Sequence, residues 1–355
     1  MKKIVMCVWN DYDNDDRIQK KANTLSKKNK VVVKSVCKKP KPYPSKKINN
    51  NLIVQYYWFD SNIGKWFVNR LILNEIFWKD KIEEADIYDC NDPDTLYAGV
   101  LAKIKYGSKI IYDSHEYWKG TRRKEYDLYY TLYSYIGNTI QYLRQEMWIG
   151  KVDKIICVSG SIKRILEDRY KKPTYLIQNY SKKETYDINY QTKIAKKQVV
   201  FVGSKFRLGV DKILNDFAEK GYKVIVIGNV KKTNPKITYT GFISKPEYMT
   251  ILKDSLIGIG YITTTCDNIK YSLPNKLYEY IQAGVVPIVN YDNIDSSKIV
   301  TKHNIGVSVK DSDYNITTLI TTINKNLLKY QTNLLKSREL MNWEAIEHRL
   351  LNIYT

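Results

Sequence analysis

Apolar and polar residues along the first half of the chain follow the periods of strands and helices in turn. Short apolar runs predict strands at residues 3–8, 31–36, 52–59, 87–90, 109–113, 154–158 and 174–177. Helical spacing of apolar residues predicts helices between them at residues 17–28, 65–77, 95–105, 124–149 and 161–170. Residues 38–47 are rich in Pro and Lys and are predicted to be an exposed loop. Such alternation indicates βαβ units, with helices on both faces of a parallel sheet.

The pattern stops at residues 179–197, which are polar and lack apolar periodicity, and we interpret them as a linker. It then resumes, with strands predicted at residues 199–203, 223–228, 237–241, 257–260 and 285–289 and helices at residues 212–220, 245–254, 275–283 and 315–354. The expected fold class is α/β, with two Rossmann-like parallel-sheet domains facing across a ligand-binding cleft. We place these domains at residues 1–185 and 186–335, followed by a C-terminal segment at 336–355.

The stretch YSLPNKLYEYIQAGVVPIV, residues 271–289, carries the strongest local signal. Ser272 is the expected N-cap, and Gly284 ends the predicted helix. The helix N-terminus has unpaired amides and the positive end of the dipole, Lys276 adds a charge, and Glu279 lies one turn further along. This arrangement suits a phosphate followed by a sugar hydroxyl. The alternative is that Lys276 and Glu279 are merely the solvated face of a helix.

The chain is strongly basic, with a formal net charge of +21 over 355 residues and an isoelectric point near 9.4. Such an excess usually marks a polyanionic partner, whether nucleic acid, an anionic membrane surface or a phosphate-bearing substrate. No acidic residue occurs from Arg17 to Phe59, and the cations of that stretch end at Lys47. A compositional bias towards Lys, Asn, Ile and Tyr is the alternative explanation. No nucleic-acid-binding module is recognisable, so we expect no nucleic acid partner.

The remaining totals indicate a cytoplasmic protein. The apolar runs are too short to span a membrane, and the start is too brief for a signal peptide. The five cysteines are widely spaced without a CxxC pair, so we expect reduced thiols and no zinc site. The acidic triplets Asp11–Asp13 and Asp92–Asp94 match a DxD metal signature, but three residues match by chance too easily, and we expect solvated loops or acceptor contacts there.

His115 is a candidate ligand contact. It is one of three histidines in the chain and follows the strand that ends at Asp113, where α/β sheets place ligand-contacting residues. A structural hydrogen-bonding role is the alternative.

Three runs of residues resemble one known family. They are NDPDTLYAGVLAKIKYGSKIIYDSHE at residues 91–116, VDKIICVSGSIKRIL at residues 152–166, and SLPNKLYEYIQAGVVPIV at residues 272–289. Together with the two ends of the chain, they resemble glycosyltransferase family 4 of the GT-B superfamily, in the branch with an LPNK-type donor motif. The resemblance covers nearly the whole chain. It implies a C-terminal helix that returns to the N-terminal domain, and a nucleotide-sugar donor held by the C-terminal domain.

The resemblance also implies roles for individual residues. Glu279 would bond the ribose hydroxyls, and the helix N-terminus at Asn275 would face the diphosphate. Lys205 and Arg207 would neutralise the departing diphosphate. Which of the two matches the family's basic pair is left open. The alternative is that both are merely surface cations. His115 would contact the donor sugar. The remaining residues predicted at the donor site are Gly203, Tyr271, Leu273 and Lys276.

One position departs from the family pattern. The family commonly has a second Glu, eight positions before the residue matched by Glu279, that touches the donor sugar. Tyr271 stands there in this chain, and no Asp or Glu occurs from Asn268 to Asn275. The departure leaves the donor sugar undetermined.

The expected function is a retaining, metal-independent glycosyltransferase that uses a nucleotide-sugar, with a UDP-sugar favoured and no further cofactor. The expected acceptor is a cell-surface glycan precursor such as a lipid-linked oligosaccharide, capsule or teichoic acid. The basic segment Arg17–Lys47 would bind the anionic inner face of the cell membrane peripherally. The alternatives are a nucleotide-sugar epimerase on the same fold and a non-catalytic GT-B partner subunit.

Overall fold

The computed structural model of the chain describes residues 1–37, 39–58, 74–121, 128–203 and 209–355. Within these residues the chain forms two compact units. The first comprises residues 1–178, 266–268 and 346–355, and the second comprises residues 179–265 and 269–345. Each unit is built around one mostly parallel sheet with helices in its crossover connections, which confirms the α/β class predicted from the sequence.

The sheet of the first unit has eight strands. These are β1 (Lys3–Val8), β2 (Lys30–Cys37), β3 (Ser45–Asn49), β4 (Leu52–Trp58), β5 (Ile87–Asn91), β6 (Lys109–Ser114), β7 (Lys154–Cys157) and β8 (Thr174–Leu176). They run in the order β3-β4-β2-β1-β5-β6-β7-β8, and all neighbours are parallel except β3 and β4. The described helices between them are α1 (Asp16–Ser26), α2 (Asn74–Lys79), α3 (Leu96–Tyr106), α4 (Leu128–Trp148) and α5 (Gly160–Tyr170).

The sheet of the second unit has six parallel strands. These are β9 (Gln198–Val202), β10 (Lys223–Ile227), β11 (Ile237–Gly241), β12 (Ile257–Ile259), β13 (Val286–Asn290) and β14 (Val307–Val309), in the order β11-β10-β9-β12-β13-β14. The helices are α6 (Tyr190–Lys196), α7 (Val210–Glu219), α8 (Lys245–Asp254), α9 (Asp267–Tyr271), α10 (Asn275–Ala283), α11 (Ile294–His303), α12 (Ile316–Leu340) and α13 (Trp343–Ile353). Residues of α9 and α13 fall in both units.

A short edge strand lies where we predicted a Pro-rich loop. Strand β3 pairs antiparallel with β4, and its Lys46 and Lys47 side chains are exposed. The prediction of a loop was wrong for these residues because an exposed edge strand needs no apolar alternation. Lysines on such an edge discourage pairing with another chain.

Two helices interrupt segments that we predicted otherwise. The predicted linker at residues 179–197 contains α6, whose N-cap Asn189 accepts from the Thr192 amide at 3.0 Å. The predicted single tail helix is two helices, α12 and α13. The side chain of Asn342 accepts from the Ala345 amide at 2.9 Å and starts the second one. Both differences come from Asn caps, which periodicity alone does not reveal.

The end of the chain belongs to the first unit from Ile346 onward. Glu347 of α13 accepts from the Thr24 hydroxyl at 2.8 Å and pairs with Lys27 at 2.6 Å. Lys2 donates to the Tyr354 carbonyl at 3.1 Å. These bonds fix the C-terminal helix to the sheet side that carries α1.

The parts of two predicted helices that precede α2 and α4, residues 65–73 and 124–127, lie outside the described residues. Among the helices that the structure does describe, none is both long enough and apolar enough to cross a membrane.

The basic segment Arg17–Lys47 is only partly exposed. Four of its cations within the described residues are buried, with side-chain exposure of 5% or less: Arg17, Lys20, Lys21 and Lys34. Among the residues of this segment that the structure describes, the exposed cations are Lys27, Lys28, Lys30, Lys39, Lys46 and Lys47. The segment therefore presents only part of its positive charge to solvent.

Two of the buried cations bind buried carboxylates. Arg17 lies 2.7 Å from one oxygen of Asp113, and Lys21 lies 2.7 Å from the other. Lys21 also lies 2.8 Å from Asp89. Burial alone would raise the pKa of the Asp113 carboxyl, but Arg17, Lys21 and His115 outweigh it and hold that pKa well below its usual range. The four side chains fix α1 against the carboxyl ends of β5 and β6.

Replacing Lys21 by Met removes the ammonium that both buried carboxylates share. We expect the free energy of unfolding of the first unit to fall by about 3–5 kcal/mol, since a carboxylate is left buried without its counterion. Lys27→Met is the control, because Lys27 is 55% exposed in its pair with Glu347 and should cost about 0–1 kcal/mol. Urea unfolding followed by circular dichroism measures both. Equal losses in the free energy of unfolding for the two variants would contradict a stabilising role of the buried ion pairs of Lys21.

Candidate functional site

Helix α10 forms where the sequence predicted it, from Asn275 to Ala283. Leu277 and Ile281 are fully buried, and Gly284 ends the helix with φ of 63°, a left-handed conformation that suits glycine. The N-cap is Pro274 rather than the predicted Ser272, whose hydroxyl donates to the Ile269 carbonyl at 3.4 Å. Because Pro274 has no side-chain acceptor, it cannot cap the first amides of α10, and an anion could take that place.

Glu279 lies on α10 with 8% of its surface exposed. Its Oε1 accepts a hydrogen bond from the Tyr248 hydroxyl at 2.7 Å and lies 3.6 Å from the Lys245 ammonium. Tyr248 and Lys245 both belong to α8. A buried carboxylate is stable only with such partners, so α8 and α10 are tied together at this residue. The remaining acceptor capacity of Glu279 suits the hydroxyl groups of a sugar.

Lys276 and Gly203 come together at the carboxyl end of β9. The Lys276 ammonium lies 4.4 Å from the centre of the Phe201 ring. It also lies 3.5 Å from the point where a Cβ would stand on Gly203. A side chain at position 203 would meet the Phe201 ring at 2.7 Å, so glycine leaves this strand end open. A cation beside an open strand end and a helix N-terminus suits a phosphate group.

Three further predicted residues lie around the start of α10. The Asn275 side chain accepts from Asn179 at 2.8 Å, which joins the linker to the helix. Tyr271 is half-buried as the last residue of α9, and the Lys270 ammonium lies 5.5 Å from its ring centre. Leu273 is buried with 8% exposure. Lys205 and Arg207 lie outside the described residues.

His115 follows β6 in the first unit, and its side chain is 22% exposed. Its Nδ1 lies 3.2 Å from Asp92 and its Nε2 lies 3.7 Å from Asp113. The Asp92 carboxylate also accepts from the His115 amide at 3.1 Å. Burial alone would lower the pKa of His115, but Asp92 and then Asp113 outweigh it and raise the pKa to about 10. The imidazole is therefore a cation at neutral pH and can only donate hydrogen bonds.

The backbone around His115 is held in an uncommon conformation. Asp92 has φ of 63°, which is rare for a residue other than glycine. Its amide donates to the Asp113 carbonyl at 3.0 Å, and its side chain holds His115. The two carboxylates of the DxD-like triplet therefore have different partners: Asp92 faces His115, while Asp94 is buried against Gln141 and Arg144.

Sequence reasoning missed Tyr248, Lys245 and Asn179. Ser244 and Glu247 form a capping box that starts α8, and this signal is visible in the sequence. It places Tyr248 in the first turns of a helix, but gives no sign that the hydroxyl crosses to α10. Within the described residues, no three His, Cys, Asp or Glu side chains are arranged to hold a metal ion.

No protein-family model matches the chain, and no curated protein sequence matches it. Solved structures do match over its full length. Sucrose-phosphate synthase from Thermosynechococcus elongatus superposes with a TM-score of 0.75 at 12% identity, covering 100% of this chain and 98% of that one. An E. coli trehalose-6-phosphate protein bound with UDP-2-fluoro glucose gives 0.66 at 10% identity, covering 99% and 98%. HepE from Anabaena in complex with UDP-glucose gives 0.64 at 11% identity, covering 100% and 99%.

At these identities the similarity shows the fold. The chain has the GT-B fold, in which two Rossmann-like parallel-sheet domains follow one another. The sequence prediction of that fold class is confirmed.

We expect His115 to remain protonated well above neutral pH. Its folded-state pKa of about 10 lies above its ordinary 6.5, so its contribution to stability is present below pH 6.5 and is lost as the pH rises through about 10. His303 is an internal control, because burial and then Lys302 lower its pKa. Carbon–proton NMR spectra of the three histidine rings, assigned with His115→Gln, measure this. A His115 ring that titrates near its ordinary pKa would contradict the ion pairs with Asp92 and Asp113.

Proposed function

We propose that this chain is a GT-B glycosyltransferase that moves a sugar, with retention, from a UDP-sugar to a cell-surface glycan precursor. The observation that carries the proposal is the buried Glu279 on α10, held by Tyr248 one turn beyond an N-terminus without a side-chain cap. This spacing matches a diphosphate followed by a ribose. The structures of E. coli and Anabaena proteins with UDP-sugars support the choice of donor.

In this proposal the donor is held by charge and by hydrogen bonds. The diphosphate lies at the N-terminus of α10, with Lys276 beside it, and the ribose hydroxyls donate to Glu279. Lys205 and Arg207 neutralise the diphosphate as the glycosidic bond breaks. The protonated ring of His115 can donate a hydrogen bond to a ligand of the first unit. No metal or further cofactor takes part.

The missing sugar-contacting Glu bears on which sugar is transferred. Tyr271 occupies that position, and its hydroxyl can donate as well as accept. A Glu at this position would accept a hydrogen bond from a sugar hydroxyl, whereas the Tyr271 hydroxyl can either donate a hydrogen bond to the sugar or accept one from it. The proposal therefore names the nucleotide and leaves the sugar open among UDP-hexoses.

We expect UDP and UDP-sugars to raise the melting temperature of the protein by several degrees. A ligand at one hundred times its Kd contributes about 2.7 kcal/mol of stability. Glu279→Gln should remove most of the shift, because the amide replaces one ribose acceptor by a donor. Glu219→Gln is the matched control, since Glu219 is 59% exposed and pairs with the exposed Lys236. A thermal-shift screen against UDP-, GDP-, dTDP- and CMP-sugars measures this.

Two results of that screen would contradict the proposal. One is that no nucleotide stabilises the wild-type chain. The other is that Glu279→Gln and Glu219→Gln respond to UDP alike.

We also propose that the exposed lysines of the segment Arg17–Lys47 bind an anionic membrane surface, which would hold a lipid-linked acceptor nearby. Each cation near such a surface contributes about 1 kcal/mol, so the six exposed cations of the described part of the segment suffice for peripheral binding. The four buried cations are already paired and would not contribute.

We expect the chain to float with vesicles that contain phosphatidylglycerol and not with pure phosphatidylcholine vesicles. Lys39→Gln combined with Lys47→Gln should weaken binding by about tenfold or more, at about 1 kcal/mol per cation. Lys231→Gln combined with Lys232→Gln, two exposed lysines of the second unit, is the control. Flotation that is indifferent to lipid charge, with unchanged activity on a soluble acceptor, would contradict membrane binding.

A further inference from the structure

Lys193 of helix α6 is fully buried. Its ammonium donates to three backbone carbonyls, those of Ser255 at 2.8 Å, Ala283 at 2.9 Å and Leu252 at 3.2 Å. An ammonium has three N–H donors, so these three acceptors satisfy it completely. The charge of Asp254 raises the pKa of Lys193, and Asp254 is itself paired with Lys196 at the surface.

The three carbonyls stand at the C-terminal ends of two helices. Leu252 is in the last turn of α8, Ser255 follows that helix, and Ala283 is the last residue of α10. Carbonyls at a helix C-terminus lack partners within the helix and carry the negative end of the dipole. A buried cation at this point satisfies both helices at once.

Burial of this ammonium is costly, and desolvation lowers the pKa of Lys193 to about 7 against the opposing charge of Asp254. An apolar side chain of the same length would avoid that cost. The ammonium therefore contributes through the three hydrogen bonds that it donates, which join the linker to α8 and α10.

The same two helices carry the Tyr248–Glu279 hydrogen bond. Tyr248 lies four residues before Leu252 on α8, and Glu279 lies four residues before Ala283 on α10. Residues four apart lie on one face of a helix. Lys193 therefore binds each helix one turn beyond the residue that forms the Tyr248–Glu279 hydrogen bond. Between the two points the helices are packed through Met249, Leu252, Tyr280 and Ala283.

We propose that Lys193 is a positioning residue for the donor site: it fixes the C-terminal ends of α8 and α10 so that Tyr248 stays in register with Glu279. The role of this register in holding a ribose rests on the proposed function. The helix alignment itself does not, and can be measured without a nucleotide.

Hydrogen–deuterium exchange on the free protein tests the alignment. In Lys193→Met, three carbonyls lose their donor, and we expect the amides of α8 and α10 to exchange about tenfold faster while those of α11 and α12 keep their rates. Lys193→Gln retains two N–H donors and should fall between wild type and Lys193→Met. Lys196→Met, on the same helix but 43% exposed, should leave every rate unchanged.

Binding of UDP-glucose, measured by calorimetry on the same variants, tests the link to the donor site. We expect Kd to rise about tenfold in Lys193→Met, less in Lys193→Gln and not at all in Lys196→Met. Unchanged exchange in α8 and α10, or equal acceleration throughout the second unit, overturns the positioning role. So does an unchanged Kd in Lys193→Met. If the variants show the expected differences in exchange but the wild type binds no nucleotide, the proposed function fails while the positioning of the helices by Lys193 stands.

Discussion

The hydrogen bond between Tyr248 and Glu279 is the interaction on which the candidate site depends. A carboxylate as buried as Glu279 needs hydrogen-bond donors around it, and Tyr248 supplies one at 2.7 Å with Lys245 nearby. The bond joins α8 to α10, and Lys276 of α10 lies at the open end of β9. Two helices that are separate in the sequence therefore form one wall of the candidate site. The Glu279 carboxylate keeps acceptor capacity for a ligand.

The first unit meets a similar constraint with more charges. Asp113 is completely buried, and its two oxygens are taken by Arg17 and Lys21, which leaves His115 to be charged by Asp92 as well. The imidazole ring of His115 is therefore a cation, and it lies at the carboxyl end of β6, where α/β proteins bind ligands. Such a ring suits the oxygens of a sugar or a phosphate. The cations that sequence composition assigned to a membrane surface are, in part, the counterions of this network.

Local signals predicted the elements well, and contacts between elements poorly. Helix α10 was predicted at its observed residues because Pro, Gly and apolar spacing all act within one or two turns. The bonds of Tyr248 to Glu279 and of Lys193 to three carbonyls join residues 31 to 90 positions apart, and no pattern in the sequence marks them. The burial of Arg17, Lys21 and Lys34 was missed for the same reason, because their partners lie on other elements.

Saturation-transfer NMR with UDP-glucose tests the central claim most directly, because it reports which protons of the donor touch the protein. The proposed site holds the ribose against the buried Glu279 and the diphosphate at the start of α10. We therefore expect the strongest transfer to the ribose protons. We also expect loss of that transfer in Glu279→Gln and Tyr248→Phe. Equal transfer in wild type and both variants, or no transfer in wild type, would contradict a nucleotide-sugar site at α10.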